Sequence, residues 1–212
     1  MIVLGLDTAL PACSVAVLDG ERVLAHISEP MTRGHQERLA TMVEAAMTAA
    51  RLDFGRLDRV GVTVGPGSFT GLRVGLAFAK GLGLALDIPC VGIGSLQALA
   101  ASAPAEGRVA ACIDAKRGQV YLQAFVAGRA ESAPEALDVD AAIEALSGPG
   151  PLALVGSGAA LLAPRLPAAL VHPLDAADPV AVARLAAGVA EPSPPLPIYL
   201  RAPDARLHGA PV

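Results

Sequence analysis

The feature that most restricts the possible folds is an approximate internal repeat. The apolar run at residues 2–6 leads into Asp7, and the run at 109–113 leads into Asp114 half a chain later. Gly156-Ser157-Gly158 likewise echoes Gly65-Pro66-Gly67. In the first half, short apolar runs at 2–6, 14–18 and 23–27, the last two joined at Asp19-Gly20, predict a strand and a hairpin. Helical periodicity at 35–52 and 70–86 alternates with strand-like runs at 60–64 and 88–93, and Ser95 can cap a helix to 101, giving βββαβαβα. The second half predicts strands at 109–113, 119–126 and 152–155 and helices at 139–146 and 179–190, the last capped by Asp178. The expectation is a duplicated α/β unit with mixed sheets: a domain over 1–103 and a smaller one over 104–212, ending in a proline-rich extended tail.

Composition narrows the function classes. The chain has 212 residues, 53% of them hydrophobic, which is enough for a sizeable core. A net charge of -4 with 3% aromatic residues and no Trp argues against a surface that grips nucleic acid on its own. The preponderance of Arg over Lys, with abundant Ala, Gly and Pro, reads as genomic composition bias. Cys13, Cys90 and Cys112 are odd in number, widely spaced and set in apolar runs, so buried thiols in the cytoplasm are expected rather than disulfides. The first residues carry no basic leader and read as a strand, not a signal peptide. Arg73, Lys80, Asp87 and interspersed glycines make the segment 72–88 a poor membrane span. The four histidines show no H-x-x-x-H or H-E-x-x-H spacing, so no metal site is expected.

The glycine-rich stretch VGPGSFTGLRVGLAFAKGLGLAL invites comparison with phosphate loops, and each template fails at a definite position. Thr70 and Leu72 stand where a Walker loop needs its second glycine, Gly71 comes one position too late for G-x-G-x-x-G, and Pro66 and Thr70 replace the glycines of a nucleophile elbow around Ser68. What remains is a strand, a turn at Gly65 and Gly67, and a helix capped by Ser68 or Thr70. Asp7-Thr8 with Ser14, and Asp114 with Lys116-Arg117, can be read as two turns flanking an anion site or as polar turns that cap buried strands. Ser68, His35 and Asp7 assemble a hydrolase trio only on paper. Gly71, Gly75, Ala79 and Gly83 recur every four positions, and glycine inside a helix costs about 1 kcal/mol relative to alanine, so the ridge needs a close backbone neighbour. That neighbour belongs either to the same molecule or to another chain. Among the methionines, Met42 falls on the apolar face of the first helix and Met47 off it, the better interface candidate.

IVLGLDTALPACSVAVLDG, HQERL, VTVGPGSFTGLRVGLAFAKGLGLALDIPCVGIGSLQALA, IDAKRGQVYLQAF and PIYLR resemble the bacterial TsaB (YeaZ) family, of the actin-like ASKHA, ribonuclease H-like superfamily. The resemblance covers nearly all of the first half and discrete motifs of the second, and GPGSFTGLR with DAKRGQVY is its specific part. It implies a non-catalytic subunit of tRNA threonylcarbamoyladenosine synthesis. Such a subunit pairs with the catalytic, metal-binding paralogue TsaD, with the ATPase TsaE joining the complex, and meets tRNA only through it. It also implies a homodimer when alone, no membrane, and no cofactor required by this chain, with ATP or ADP at the interface of the complex. The pairing surface would be the two helices at 35–52 and 70–86, with Leu39, Met42, Met47, Gly71, Arg73, Gly75, Phe78 and Ala79 as candidates. Asp7, Thr8, Gly65 and Gly67 would be a vestigial nucleotide site. Gln119 departs from the pattern, which has an acidic residue after the basic turn. The alternative readings are an ATP-dependent phosphotransferase using Asp7, and a glycoprotease-type peptidase.

Overall fold

The computed structural model describes residues 1–104 and 107–201. The first half forms β1 (Ile2–Asp7), β2 (Ala12–Asp19), β3 (Arg22–Pro30), α1 (His35–Ala50), β4 (Arg59–Thr63), α2 (Phe69–Leu86), β5 (Cys90–Ile93) and α3 (Ser95–Ser102). The second forms β6 (Arg108–Lys116), β7 (Gln119–Val126), β8 (Arg129–Ala130), β9 (Glu135–Asp138), α4 (Val139–Leu146), β10 (Leu152–Val155), α5 (Ala159–Leu162), β11 (Leu170–His172) and α6 (Pro179–Ala187). The strand orders are β3-β2-β1-β4-β5 and β11-β10-β6-β7-β8, with β9 also on β7. Read in reverse, the second order matches the first, with β8 and β9 sharing the place of β3. β1 and β6 each pair antiparallel with the next strand and parallel with the strand after the crossover. Gly65 and Gly156 even share a backbone conformation, φ 106 and φ 104. The duplication is therefore real at the level of topology.

The helices divide into outer and inner layers. α1 and α2 cover one face of the first sheet through a core that includes Leu4, Leu6, Leu39, Met42, Met47, Val62 and Ala79. α4 and α5 cover the far face of the second sheet. Between the sheets lie α3 and α6, and their core draws on both halves: Val3, Leu18, Leu96, Leu99, Val109, Phe125, Val182 and Ala186. α6 packs on β1 and β4 of the first sheet, while α3 packs on β6 and β7 of the second. The boundary expected at 103/104 thus separates the sheets but not the cores, because each half lends its last helix to the other. A flat bed makes this possible. Gly5 and Gly61 are register partners, and a Cβ on either would collide with α6, at Pro179 and Ala183 or at Ala186. Arg59 Nη1 then donates to Ala186 O at 2.6 Å and Val189 O at 2.7 Å, a cation on the negative end of α6.

The small-residue ridge of α2 turns inward, a correction to its reading as an outward docking face. A Cβ on Gly71 would overlap Thr8 O, one on Gly75 would overlap Thr8 Oγ1, and one on Gly83 would crowd Ile88 O and Cys90 Sγ. Ala79 is buried, and its carbonyl accepts the Cys90 thiol at 2.8 Å. The neighbour that compensates for the helical glycines is the chain's own first sheet. Leu39, Met42 and Met47 are buried as well. Ser68 caps α2 by accepting from Gly71 N. Ser95, by contrast, is the first residue of α3 after Gly94, and its Oγ has no partner. β8, β9, β11 and α5, each of two to four residues, were too short to leave a periodic signal. The tail packs back: Pro195 sits over Gly92, and Ile198 N donates to Val64 O at 2.7 Å.

Gly71 and Gly81 provide opposed tests of this packing, since a Cβ at Gly81 meets nothing within 4 Å. Gly81→Ala is expected to stabilise the chain by up to about 1 kcal/mol. Gly71→Ala is expected to destabilise it by about 1–3 kcal/mol through overpacking against the β1–β2 turn. Urea denaturation of the two variants beside the wild type measures both, and a stabilised Gly71→Ala would contradict the inward assignment.

Candidate functional site

A cleft of about 700 Å³ lies between the two halves. One wall comes from the β1–β2 turn (Ala9, Leu10, Pro11), Thr32 and His35 at the start of α1, and the turn Pro66 to Phe69. The other comes from the end of β6 and the β6–β7 turn (Ile113 to Arg117), Tyr121 and Ser157, and residues 198–201 of the tail close one side. Both walls are built alike, from a strand end facing a glycine turn.

Of the four positions expected to form a nucleotide site, only Gly67 lines this cleft. Asp7 is 0% exposed. Its Oδ1 accepts from Thr63 Oγ1 at 2.6 Å and from Ala9 N at 3.0 Å, and its Oδ2 has no hydrogen-bond partner. Burial pushes its pKa up from 3.8 to about 6, against the opposing effect of the hydrogen bonds from Thr63, Ala9 and Leu10. Thr8 donates its hydroxyl to Gly71 O at 2.7 Å. Gly65 and Gly67 are small for the chain's own sake, because a Cβ would strike Ile198 O or Ala9 O respectively. Ser68 N donates to Ala9 O at 2.8 Å, which ties the glycine turn to the β1–β2 turn. The Ser68 N–H, which could otherwise face a phosphate here, is thus committed within the protein.

The β6–β7 turn is built differently. Lys116, Arg117 and Gly118 are successive left-handed residues, φ 63, 56 and 73. Lys116 Nζ pairs with Asp114 Oδ2 at 2.7 Å, and this lysine holds the Asp114 carboxyl below its ordinary range. Gln119, the departure from the family pattern, accepts a hydrogen bond from Arg201, whose Nη1 also donates to Ala115 O at 3.0 Å. An amide oxygen thus supplies the acceptor an acidic side chain would have offered. Arg201 was not singled out as a site residue from the sequence, although it closes the PIYLR motif. At the cleft's rim Phe69 and Tyr199 stack with centroids 5.5 Å apart at 41°, and the Arg73 guanidinium lies 3.7 Å above the Phe69 ring.

The paper trio of Ser68, His35 and Asp7 forms no relay. Ser68 caps α2, His35 Nε2 has no hydrogen-bond partner, and Asp7 is sealed behind the β1–β2 turn. Among the described residues no three His, Cys, Asp or Glu side chains gather as a metal site would require. α2 has the length and mean hydropathy, 1.3, of a membrane span, but its inner face is packed on β1, β4 and β5.

The family model of TsaD, tRNA N6-adenosine threonylcarbamoyltransferase, matches residues 22–175. YeaZ from Pseudomonas aeruginosa superposes with a TM-score of 0.80 at 30% identity, covering 94% of this chain and 99% of that one. This chain belongs to the TsaB/YeaZ family. The tRNA threonylcarbamoyladenosine biosynthesis protein TsaB of Escherichia coli is 38% identical over 124 residues, 57% of this chain and 53% of that protein. The chain's match thus spans about half the length of this curated TsaB relative. An uncharacterized Mycobacterium tuberculosis protein is 36% identical over 214 residues, 96% of this chain and 93% of that protein. The activator of the 2-hydroxyisocaproyl-CoA dehydratase of Clostridium difficile, solved with bound ADPNP, shares the actin-like fold at 12% identity and a TM-score of 0.57.

The buried Asp7 of this TsaB/YeaZ-family chain makes a signed pH prediction. With a folded pKa of about 6 against 3.8, the folded state binds the proton more tightly. Its contribution therefore grows as pH falls from 6 to 3.8 and is lost as pH rises through 6. Two pKa units correspond to about 3 kcal/mol. Asp7→Asn should gain stability relative to wild type by up to about that amount on going from about pH 4 to about pH 7.5. Urea unfolding of both proteins across this range tests it, and a difference independent of pH would refute it.

Proposed function

We propose that this chain is a non-catalytic subunit of the tRNA threonylcarbamoyladenosine machinery, acting in the cytoplasm by pairing with TsaD and holding it in an active arrangement. The family assignment supports this reading, and one observation carries it beyond the family: the strand-end carboxylate, Asp7, lies outside the cleft and is committed to Thr63 and the β1–β2 turn. A phosphotransferase would need that carboxylate in contact with metal or water. A docking subunit needs it only to shape the turn that seats α2.

The pairing surface proposed on α1 and α2 keeps its place but changes its residues. Six of its expected members, Leu39, Met42, Met47, Gly71, Gly75 and Ala79, support it from within. Arg73 is exposed and Phe78 half-buried. Half a turn from the buried ridge runs a second small stripe, Ala77, Gly81 and Ala85, exposed together with Leu84, which is 86% exposed. On α1, Ala40, Ala45 and Ala49 are exposed as well. Small side chains on two adjacent helices let a partner's backbone come close. The same face would serve a homodimer in the absence of TsaD. TsaE would join the pair, tRNA would be met through the complex, and ATP or ADP would sit at its interface.

Reconstitution decides between the readings. Threonylcarbamoyl transfer to tRNA by TsaD is expected to depend on this protein, and calorimetry of the isolated chain with ATP is expected to show no turnover-linked tight binding. Leu84→Glu should leave the fold intact yet weaken TsaD pairing by at least about tenfold, the scale of a buried interface anchor. Transfer at full rate without the protein would exclude the subunit role, and unchanged pairing of Leu84→Glu would exclude this face.

A further inference from the structure

The segment that follows α6 belongs to neither sheet. Residues 190–201 contain no helix or strand, and four of the six residues from Pro192 to Pro197 are prolines. Proline has no N–H to give to a sheet edge and fixes φ, so this stretch is a stiff, extended rod. Leu196 is 72% exposed, which places the rod on the surface. Its position is set by a few contacts near its end, the kind of segment that opens locally before the rest of a fold does.

Three of these contacts are with the first half. Pro195 lies over Gly92 of β5, Ile198 N donates to Val64 O at 2.7 Å, and Tyr199 stacks on Phe69. Gly65 admits Ile198 O only because it lacks a Cβ, so the glycine turn is shaped to receive the tail. The fourth contact is with the second half. Arg201 donates to Ala115 O at 3.0 Å and to Gln119 Oε1, on either side of the β6–β7 turn. Residues 198–201 therefore bridge the cleft that they line.

The second-half fastening differs in kind from the chain's other arginine contacts. Arg38 has Glu29, Arg108 has Glu131 and Arg165 has Asp140 as carboxylate partners. Arg201 has a carbonyl and a carboxamide instead, so no opposite charge draws it to its acceptors. Only two residues separate Ile198 from Arg201. Their bonds order the same few backbone torsions, and losing one raises the entropic cost of keeping the other.

We propose that residues 195–201 are a releasable latch on the interdomain cleft. Fastened, they fix the angle between the two sheets and cover the glycine turn. When Arg201 lets go, Tyr199 and Ile198 detach with it, and that side of the cleft opens about the layer that α3 and α6 share between the sheets. The latch does not rest on the subunit reading, because it is a property of the isolated chain.

Amide hydrogen exchange of Ile198, followed by NMR in the full chain, reads the latch directly. Residue 201 is not a sequence neighbour of Ile198, so its substitution leaves the intrinsic exchange rate of that amide untouched. Arg201→Ala should speed Ile198 exchange by about tenfold or more, the scale of a lost hydrogen bond to a charged group. Arg201→Lys should fall between Arg201→Ala and wild type. Gln119→Glu, which offers Arg201 a carboxylate, should slow the exchange by about threefold or more. The amides of Leu6 and Val62, in the central strands of the first sheet, should exchange alike in all four proteins and so report an intact fold. Residual dipolar couplings should give the two sheets one fixed orientation in wild type and a changed or averaged one in Arg201→Ala. Equal Ile198 exchange in wild type and folded Arg201→Ala would show separate contacts and overturn the latch. An unchanged orientation of the sheets in Arg201→Ala would overturn it as well, and no slowing in Gln119→Glu would overturn Arg201 as its fastening.

Discussion

The contact on which the rest of the molecule depends is the approach of Thr8 to the first two turns of α2. Thr8 donates to Gly71 O, and both Gly71 and Gly75 are bare so that Thr8 can come that close. The same turn supplies Ala9 O to Ser68 N, just before the helix begins. α2 is thereby fixed at its start, against the end of the strand that sits at the centre of the first sheet. Its four-residue ridge then continues along the sheet to Cys90. Once that side is committed inward, the residues half a turn away, from Arg73 to Ala85, have no place but the surface. The outward character of α2 follows from the inward one.

A second close approach joins the halves. Gly5 and Gly61 lie beside each other on the opposite face of the same sheet and receive α6, which reaches them from the far end of the chain. Since α3 crosses in the other direction, neither half buries its own inner face. The two sheets share one central layer, and separating them would expose apolar surface on both. At about 25 cal/mol per Å² of such surface, even a few side chains uncovered cost several kcal/mol. The halves are therefore one cooperative unit, although the sequence that encodes them is a repeat.

Much of this was legible in the sequence because it depends on local pattern. β7 (Gln119–Val126) and α4 (Val139–Leu146) fall where alternation and helical periodicity put them, and Ser68 and Asp178 cap the helices they precede. The duplication was legible through Asp7 and Asp114. What periodicity cannot give is the direction in which a stripe of small residues faces, and α2 carries two such stripes. Only the position of Thr8, sixty-three residues earlier in the chain, decides between them. The exchange of α3 and α6 was illegible for a similar reason: Gly5 and Gly61 mark a crowded face, but not which helix crowds it. Asp7 was visible as a carboxylate at a strand end, whereas its burial outside the cleft depends on the β1–β2 turn folding over it. His35 stood out only as part of a trio, and its role as a cleft residue required the tertiary structure.

The tail gives the cleft its final character. Ile198 is bonded to Val64 of the first half, Tyr199 stacks on Phe69 at the start of α2, and Arg201 reaches the β6–β7 turn of the second half. A segment anchored on both walls resists their separation, because opening must break the hydrogen bonds of Arg201 or peel Ile198 from Val64. Hydrogen bonds to a charged group contribute about 1.5–3 kcal/mol each, so the strap alone would make an open form a minor state. An enzyme that closes its two halves around a nucleotide works by the hinge that this strap restrains. A subunit that presents α1 and α2 to a partner loses nothing by restraining it, since a face held rigid before association gives up less conformational freedom on binding.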